Sequence, residues 1–240
     1  MKINSNQITN MVELKPTDYI GISFWLISIA LFATTVFLVI ERESVKEKWK
    51  TPTTVAAMVT GIAAVHYYYM RSVWVKTQSS PIVYRYIDWF LTVPLQIIEF
   101  YLILSVASKI PIQLFYKLLI ASIIMLIFGF LGETGLIDRM LGFIIGTIAW
   151  LYILYEILFG EAAKLKDETT DDSVKFAFNS LKYIVSIGWV IYPIGYILKD
   201  KNMNLLYNLG DLVNKILFAL VIWYAGKSPL LEKFIKVFRY

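Results

Sequence analysis

The sequence contains no cysteine. Disulfides, zinc–thiolate sites, iron–sulfur clusters and cysteine nucleophiles are therefore excluded. Histidine is nearly absent: His66 is the only one in 240 residues, which removes multi-histidine metal sites, and no metal centre is expected. Charge is scarce too, at 17% of residues against 58% hydrophobic. A soluble domain of this length needs less apolar sequence and more surface charge. The net charge of +5 raises the question of nucleic acid. The basic residues, however, sit in short polar stretches between long apolar runs, so no nucleic-acid partner is expected. The opening residues 1–10 lack the charged, apolar and small-residue regions of a secretory signal peptide. Insertion is expected to rely on the first apolar run, with 1–18 read as a short tail.

What is present is a set of seven apolar runs, at about 19–40, 53–75, 82–107, 113–131, 140–160, 176–198 and 205–226. A helix needs about 20 apolar residues to cross roughly 30 Å of hydrocarbon, and every run is long enough. Backbone groups in lipid must be satisfied within the segment, which selects helices. The short alternating strands of a barrel do not occur. The expected fold is an all-α membrane protein, a bundle of seven transmembrane helices in a lipid bilayer, with 19–226 as the one membrane domain and 227–240 as a tail. The connecting stretches are short, so successive helices should be antiparallel neighbours; the longest charged linker is Glu161–Lys175. Lys and Arg are twice as numerous on the side that holds Arg42, Lys46, Lys109, Lys164 and Lys227 as on the side that holds Lys15, Arg71, Arg139 and Lys201. By the positive-inside rule the N-terminus is outside and the C-terminus cytoplasmic.

Ionisable residues inside spans are costly and mark functional sites by default. The third run holds Arg85, Asp88 and Glu99, the seventh Asp211 and Lys215, and the second His66; Glu156 lies near the end of the fifth. Asp211 and Lys215 are four apart, so they share a helix face. Lys215 falls near mid-membrane, with Asp211 a turn further out. Asp88 reaches a similar outer depth, Arg85 lies beyond it and Thr92 a turn inward. Glu99 is eleven residues past Asp88, about 16 Å closer to the cytoplasm. One cation thus has carboxylates on its outer side and a lone carboxyl on its inner side, an asymmetric path for protons. Glu99, among Ile97, Ile98 and Phe100, is expected to keep its proton, while Asp88 and Asp211 are ionised against Lys215 and Arg85. A structural ion pair at Asp211–Lys215 and an interfacial pair at Arg85–Asp88 are the plainer readings of the same residues.

The stretch Arg85-Tyr86-Ile87-Asp88-Trp89-Phe90-Leu91-Thr92-Val93-Pro94-Leu95-Gln96-Ile97-Ile98-Glu99-Phe100-Tyr101 resembles the third helix of the proteorhodopsins, microbial rhodopsins that carry retinal as a protonated Schiff base. Tyr207-Asn208-Leu209-Gly210-Asp211-Leu212-Val213-Asn214-Lys215 resembles the family's retinal-lysine segment. His66-Tyr67-Tyr68-Tyr69-Met70-Arg71 and Gly188-Trp189-Val190-Ile191-Tyr192-Pro193 agree in order and place. The resemblance covers nearly all of the chain beyond its N-terminal tail. It implies a seven-helix bundle of the microbial rhodopsin type, in the inner (plasma) membrane, that binds all-trans retinal.

The roles it implies follow residue by residue. Lys215 would carry the Schiff base. Asp88 would be counterion and proton acceptor, Asp211 the second counterion, and Arg85 the organiser of the outer half-channel. Glu99 would reprotonate the Schiff base, Thr92 completes an Asp–Thr–Glu pattern of proton pumps, and His66 would hydrogen-bond Asp88. Trp89, Met125, Trp150, Trp189 and Tyr192 would line the retinal. Gln96 would do so as well; in the family, glutamine here accompanies blue absorption and leucine green. Without the resemblance, Trp150 reads as a belt or core aromatic, Met125 as a gap filler and His66 as a satisfied core histidine.

The implied activity is that of a light-driven outward proton pump, a transporter rather than an enzyme, which forms homo-oligomeric rings of five or six. A slow-cycling light sensor that signals to a partner is the alternative. A chloride pump should lack the Asp88 carboxylate, and a sodium pump of this family would carry asparagine, aspartate and glutamine at 88, 92 and 99. Gly210 departs from the alanine of many relatives, with an effect that the sequence leaves open.

Overall fold

The computed structural model describes residues 14–198 and 200–227. The expectations placed on 1–13 and 228–240, which make up most of both tails, lie outside the described residues, as does Lys199. Ten helices follow in order: α1 (Tyr19–Glu41), α2 (Lys50–Thr77), α3 (Ile82–Ala107), α4 (Ile112–Glu133), α5 (Arg139–Leu158), α6 (Glu161–Glu168), α7 (Asp172–Ile187), α8 (Ile191–Leu198), α9 (Met203–Asp211) and α10 (Phe218–Gly226). A single 3-10 turn, Gly188–Val190, joins α7 to α8, and a π-helical turn, Leu212–Leu217, joins α9 to α10. Each joined pair is one span, and the eight-residue α6 is too short to cross, so there are seven spans among the described residues.

Six spans are both long and apolar enough to cross a membrane. The remaining one, α2, is 28 residues long, or about 42 Å at 1.5 Å per residue, but His66, Arg71 and Lys76 lower its hydropathy. It crosses because its neighbours cover it: α2 packs between α1 and α3, and α10 closes onto both α2 and α7 to complete the ring. Polarity is arranged inside out. Phe32, Ile40, Ile148, Leu151 and Ile187 are exposed on the outside of the bundle, whereas Asp88, Glu99, Asp211 and Lys215 are each at most 2% exposed.

Local chemistry fixes the ends. Asp18 caps α1 through Gly21 N (2.9 Å) and accepts from Trp74 Nε1 of α2 (3.0 Å), which pins two helices together at one end. At the other end Glu41 pairs with Lys227 at 2.5 Å, and Lys46 N donates to Gly226 O, joining the first span to the last. Helices α4 and α5 cross at Gly132 and Gly142. A Cβ on Gly142 would sit 2.6 Å from Phe128 O, so only glycine allows this approach.

Two departures from regular helix were absent from the sequence reading. Pro193 offers no N–H to the carbonyl of Trp189, and the chain tightens into the 3-10 turn there, whereas Pro94 is absorbed within α3. The linker expected at Glu161–Lys175 is largely helical: α6 occupies its first half and α7 begins at Asp172, capped by Asp171.

Candidate functional site

The π turn carries Lys215. Its extra residue per turn leaves room in the ladder, and the side chain of Gln96 donates to Asn214 O at 2.5 Å. Lys215 Nζ reaches the centre of the bundle, 2.5 Å from Asp88 Oδ2 on α3 and 3.1 Å from Asp211 Oδ2. Asp211 also accepts from Tyr67 OH at 2.6 Å and from Tyr192 OH. Tyr192 OH accepts in turn from Asn214 Nδ2 (3.0 Å), which also donates to Gly188 O (3.1 Å). The two carboxylates thus differ. Asp211 accepts from two phenols and the amine, while Asp88 Oδ1 has no hydrogen-bond partner. A buried charge needs pairing and hydrogen bonds to be tolerated. Asp211 is held firmly, and Asp88 is the carboxylate with spare acceptor capacity.

On the side of Lys215 toward the start of α3 stands Arg85, 4% exposed. The sequence reading set it against Asp88 and Asp211. In the structure it pairs with no carboxylate among the described residues. It donates to Asn204 Oδ1 (2.8 Å) and Asn208 Oδ1 (3.5 Å), and lies over the Tyr207 ring at 5.0 Å. Two amide carbonyls on α9 satisfy the guanidinium, and Asp211 is already occupied by phenols. His66 also differs from expectation. Its Nδ1 is 3.0 Å from Ile62 O in its own helix and 3.9 Å from Asp88 Oδ1, beyond hydrogen-bond length. Thr92 Oγ1 donates to the Asp88 carbonyl at 2.9 Å, the back-bond typical of helical threonine, and not to the carboxylate.

Toward the other end of α3, Glu99 is fully buried, and neither carboxyl oxygen has a partner. Phe100 and Phe178 pack edge to face beside it at 5.1 Å. Glu156 is not part of this constellation. It accepts from Glu161 N and Tyr152 OH, and so ties α5 to α6.

A cleft of about 840 Å³, counting its open mouth, runs from Lys215 toward α4 and α5. Small-molecule pockets span roughly 300–1,000 Å³. Trp89, Gln96, Met125, Trp150, Trp189 and Tyr192, all assigned from sequence, line it together. The walls are apolar and aromatic, and one amine projects at the end. That donor set fits an elongated apolar molecule whose terminal carbonyl condenses with an amine.

Sequence reasoning missed Tyr67 as a partner of Asp211, Asn204 and Asn208 as partners of Arg85, Asn214 as a link, and Glu133 in the cleft wall. The asparagines and Tyr67 carry no charge, so a search for ionisable residues in spans passes over them. The usable signal was three asparagines spaced along one apolar span.

Comparison with known proteins agrees with this arrangement. A family model for Bacteriorhodopsin-like protein matches residues 18–228. The chain is 51% identical over 219 residues to Green-light absorbing proteorhodopsin of Gamma-proteobacterium EBAC31A08, covering 88% of each. It is 48% identical over 220 residues to Blue-light absorbing proteorhodopsin of Gamma-proteobacterium Hot 75m4, covering 88% of this chain and 87% of the other. Among solved structures, blue light-absorbing proteorhodopsin from Med12 superposes with a TM-score of 0.77 at 49% identity, covering 88% of this chain and 100% of that one. Exiguobacterium sibiricum rhodopsin superposes at 0.79 with 32% identity, covering 87% and 95%. With its fold, its buried lysine and its relatives in agreement, this chain belongs to the bacteriorhodopsin-like family of seven-helix membrane proteins, among the proteorhodopsins.

Proposed function

We propose that the chain is a light-driven outward proton pump that holds all-trans retinal on Lys215. The observation that carries this reading is the asymmetry around one nitrogen: Lys215 Nζ is 2.5 Å from an under-bonded carboxylate, Asp88, while Glu99 waits alone on the opposite side. Retinal, joined to Nζ as a protonated imine, supplies light absorption and a change of shape. Everything else falls to side chains of the chain. Asp88 takes the proton from the Lys215 nitrogen, because its Oδ1 has free acceptor capacity. Asp211, fixed by Tyr67 and Tyr192, stays in place as the second counterion. Arg85 holds positive charge on the outer side. Glu99 returns a proton to the nitrogen and is refilled from the cytoplasm. Trp89, Met125, Trp150, Trp189 and Tyr192 hold the polyene and exclude water from it.

Gln96 supports blue absorption. Its side chain lines the cleft and is locked to Asn214 O next to Lys215, so a fixed amide dipole sits near the chromophore. The basic excess on one side supports a cytoplasmic C-terminus, with 1–18 outside, 19–226 in the plasma membrane and 227–240 inside. Homo-oligomeric rings of five or six belong to the same reading. The test is reconstitution: the purified chain should turn coloured with all-trans retinal, Lys215→Ala should not, and illuminated proteoliposomes should change pH. Coloured protein without any pH change would replace the pump by the slow-cycling sensor.

A further inference from the structure

The groups assigned above leave one step without a carrier. The proton on Asp88 must reach the outside, and Arg85, which lies on that route, does not give up its own protons. Glu133 is the last residue of α4 and lines the same cleft as Lys215, and it is the only carboxyl among the residues that do so. Tyr86, Tyr196 and Tyr207 line the cleft with it, and the guanidinium groups of Arg85 and Arg139 lie over the rings of Tyr207 and Tyr196.

The helix around it is shaped for those neighbours. A Cβ on Gly129, one turn earlier, would stand 3.0 Å from Tyr86 OH, and the Tyr196 hydroxyl lies against Gly132. Tyr86 is buried and packs edge to face on Trp89 at 5.0 Å. Trp89 in turn lies beneath Arg85 at 6.0 Å, and Arg85 covers Tyr207 at 5.0 Å. Arg139 covers Tyr196 at 4.8 Å. A carboxylate, three phenols and two guanidinium groups therefore form one polar cluster at the outer end of an otherwise apolar cleft. Asp138, the next carboxylate along, is spent capping Leu141 N at 2.8 Å.

We propose that Glu133 is the outer proton relay: it takes the proton that leaves Asp88 and hands it to water outside. This rests on the pump reading given above. The O–H bond on Asp88 breaks and one forms on Glu133. That bond then breaks as the proton passes to outside water, and both residues end as the carboxylates they began as. Tyr86 stands beside Glu133 in the cleft wall.

The test is flash spectroscopy on the retinal-loaded full chain in proteoliposomes, with a pH dye on the release side and infrared detection of carboxyl bands. In Glu133→Gln the first transfer, from the Lys215 nitrogen to Asp88, should keep its rate. Release of the proton, and the return of Asp88 to carboxylate, should slow by roughly 10²-fold, the lower end of what a positioned acid–base group contributes. A transient carboxylic-acid band should vanish, and Glu133→Asp should restore release with a shifted band. A merely structural residue would slow both halves or neither. Release at the wild-type rate in Glu133→Gln overturns this inference alone, whereas a wild-type chain that moves no protons overturns the pump reading with it. If the glutamine variant fails to fold, Glu133→Asp decides: an unshifted band with unchanged release is the overturning result.

Discussion

Asp88→Asn isolates the acceptor step. Two unit charges 2.5 Å apart attract by about 7 kcal/mol at an effective dielectric constant of about 20, and the 3.1 Å pair with Asp211 by about 5 kcal/mol. Desolvation offsets most of this, and removing one partner of a buried pair costs about 3–5 kcal/mol. Asp211 still faces Lys215 in the variant, so the loss falls near the lower figure. The thermal midpoint for bleaching should drop, yet the coloured protein should form. The kinetic effect is larger. Asp211 is already engaged by Tyr67 and Tyr192 as well as by Lys215, whereas Asp88 Oδ1 is without a partner. Proton departure from the Lys215 nitrogen should therefore slow by roughly 10²–10⁴-fold, the worth of a positioned acid–base group. Flash spectroscopy reads that rate, and a pH electrode reads pumping, which should fall to background. Asp88→Glu should recover part of both. Pumping above a tenth of the wild-type rate in Asp88→Asn would refute the assignment of Asp88.

Four further outcomes follow from the same geometry. Glu99→Gln should leave proton departure unchanged but slow return of the proton to Lys215 by roughly 10²-fold or more, because Glu99 is the only carboxyl among the described residues that is buried with both oxygens unpartnered; flash spectroscopy separates the two halves. Gln96→Leu removes the amide bonded to Asn214 O, and the absorption band should move to longer wavelength. Gly210→Ala should be tolerated and add up to about 1 kcal/mol of helix stability, since its new Cβ meets Asn214 and Ile191 only at 3.7 Å. Gly142→Ala pushes a Cβ against the Phe128 carbonyl and should cost roughly 1–3 kcal/mol, read as a lower bleaching temperature.

The fold was legible because lipid leaves few options. Apolar runs of sufficient length must be helices, and short linkers make them antiparallel. The depth of Lys215, Asp88, Asp211 and Glu99 followed from counting residues along those helices. The joins within spans were harder to see. A π turn at Lys215 reflects tertiary contacts such as Gln96 on Asn214 O, which no local pattern encodes. The linker helix α6 looked like a charged loop because its eight residues, EAAKLKDE, bury only Ala162 and Ala163. Partners were the least legible part. Charge complementarity suggested that Arg85 would meet an aspartate, but two asparagine carbonyls and a tyrosine ring meet it instead, and the Ile62 carbonyl takes the hydrogen bond expected between His66 and Asp88.

Outward pumping can be read in a suspension of cells that make the chain with retinal, by recording external pH under light with and without a protonophore. Light should acidify the medium, and a protonophore should abolish the change. A coloured suspension that shows no pH change, or that turns the medium alkaline under light, would contradict outward pumping.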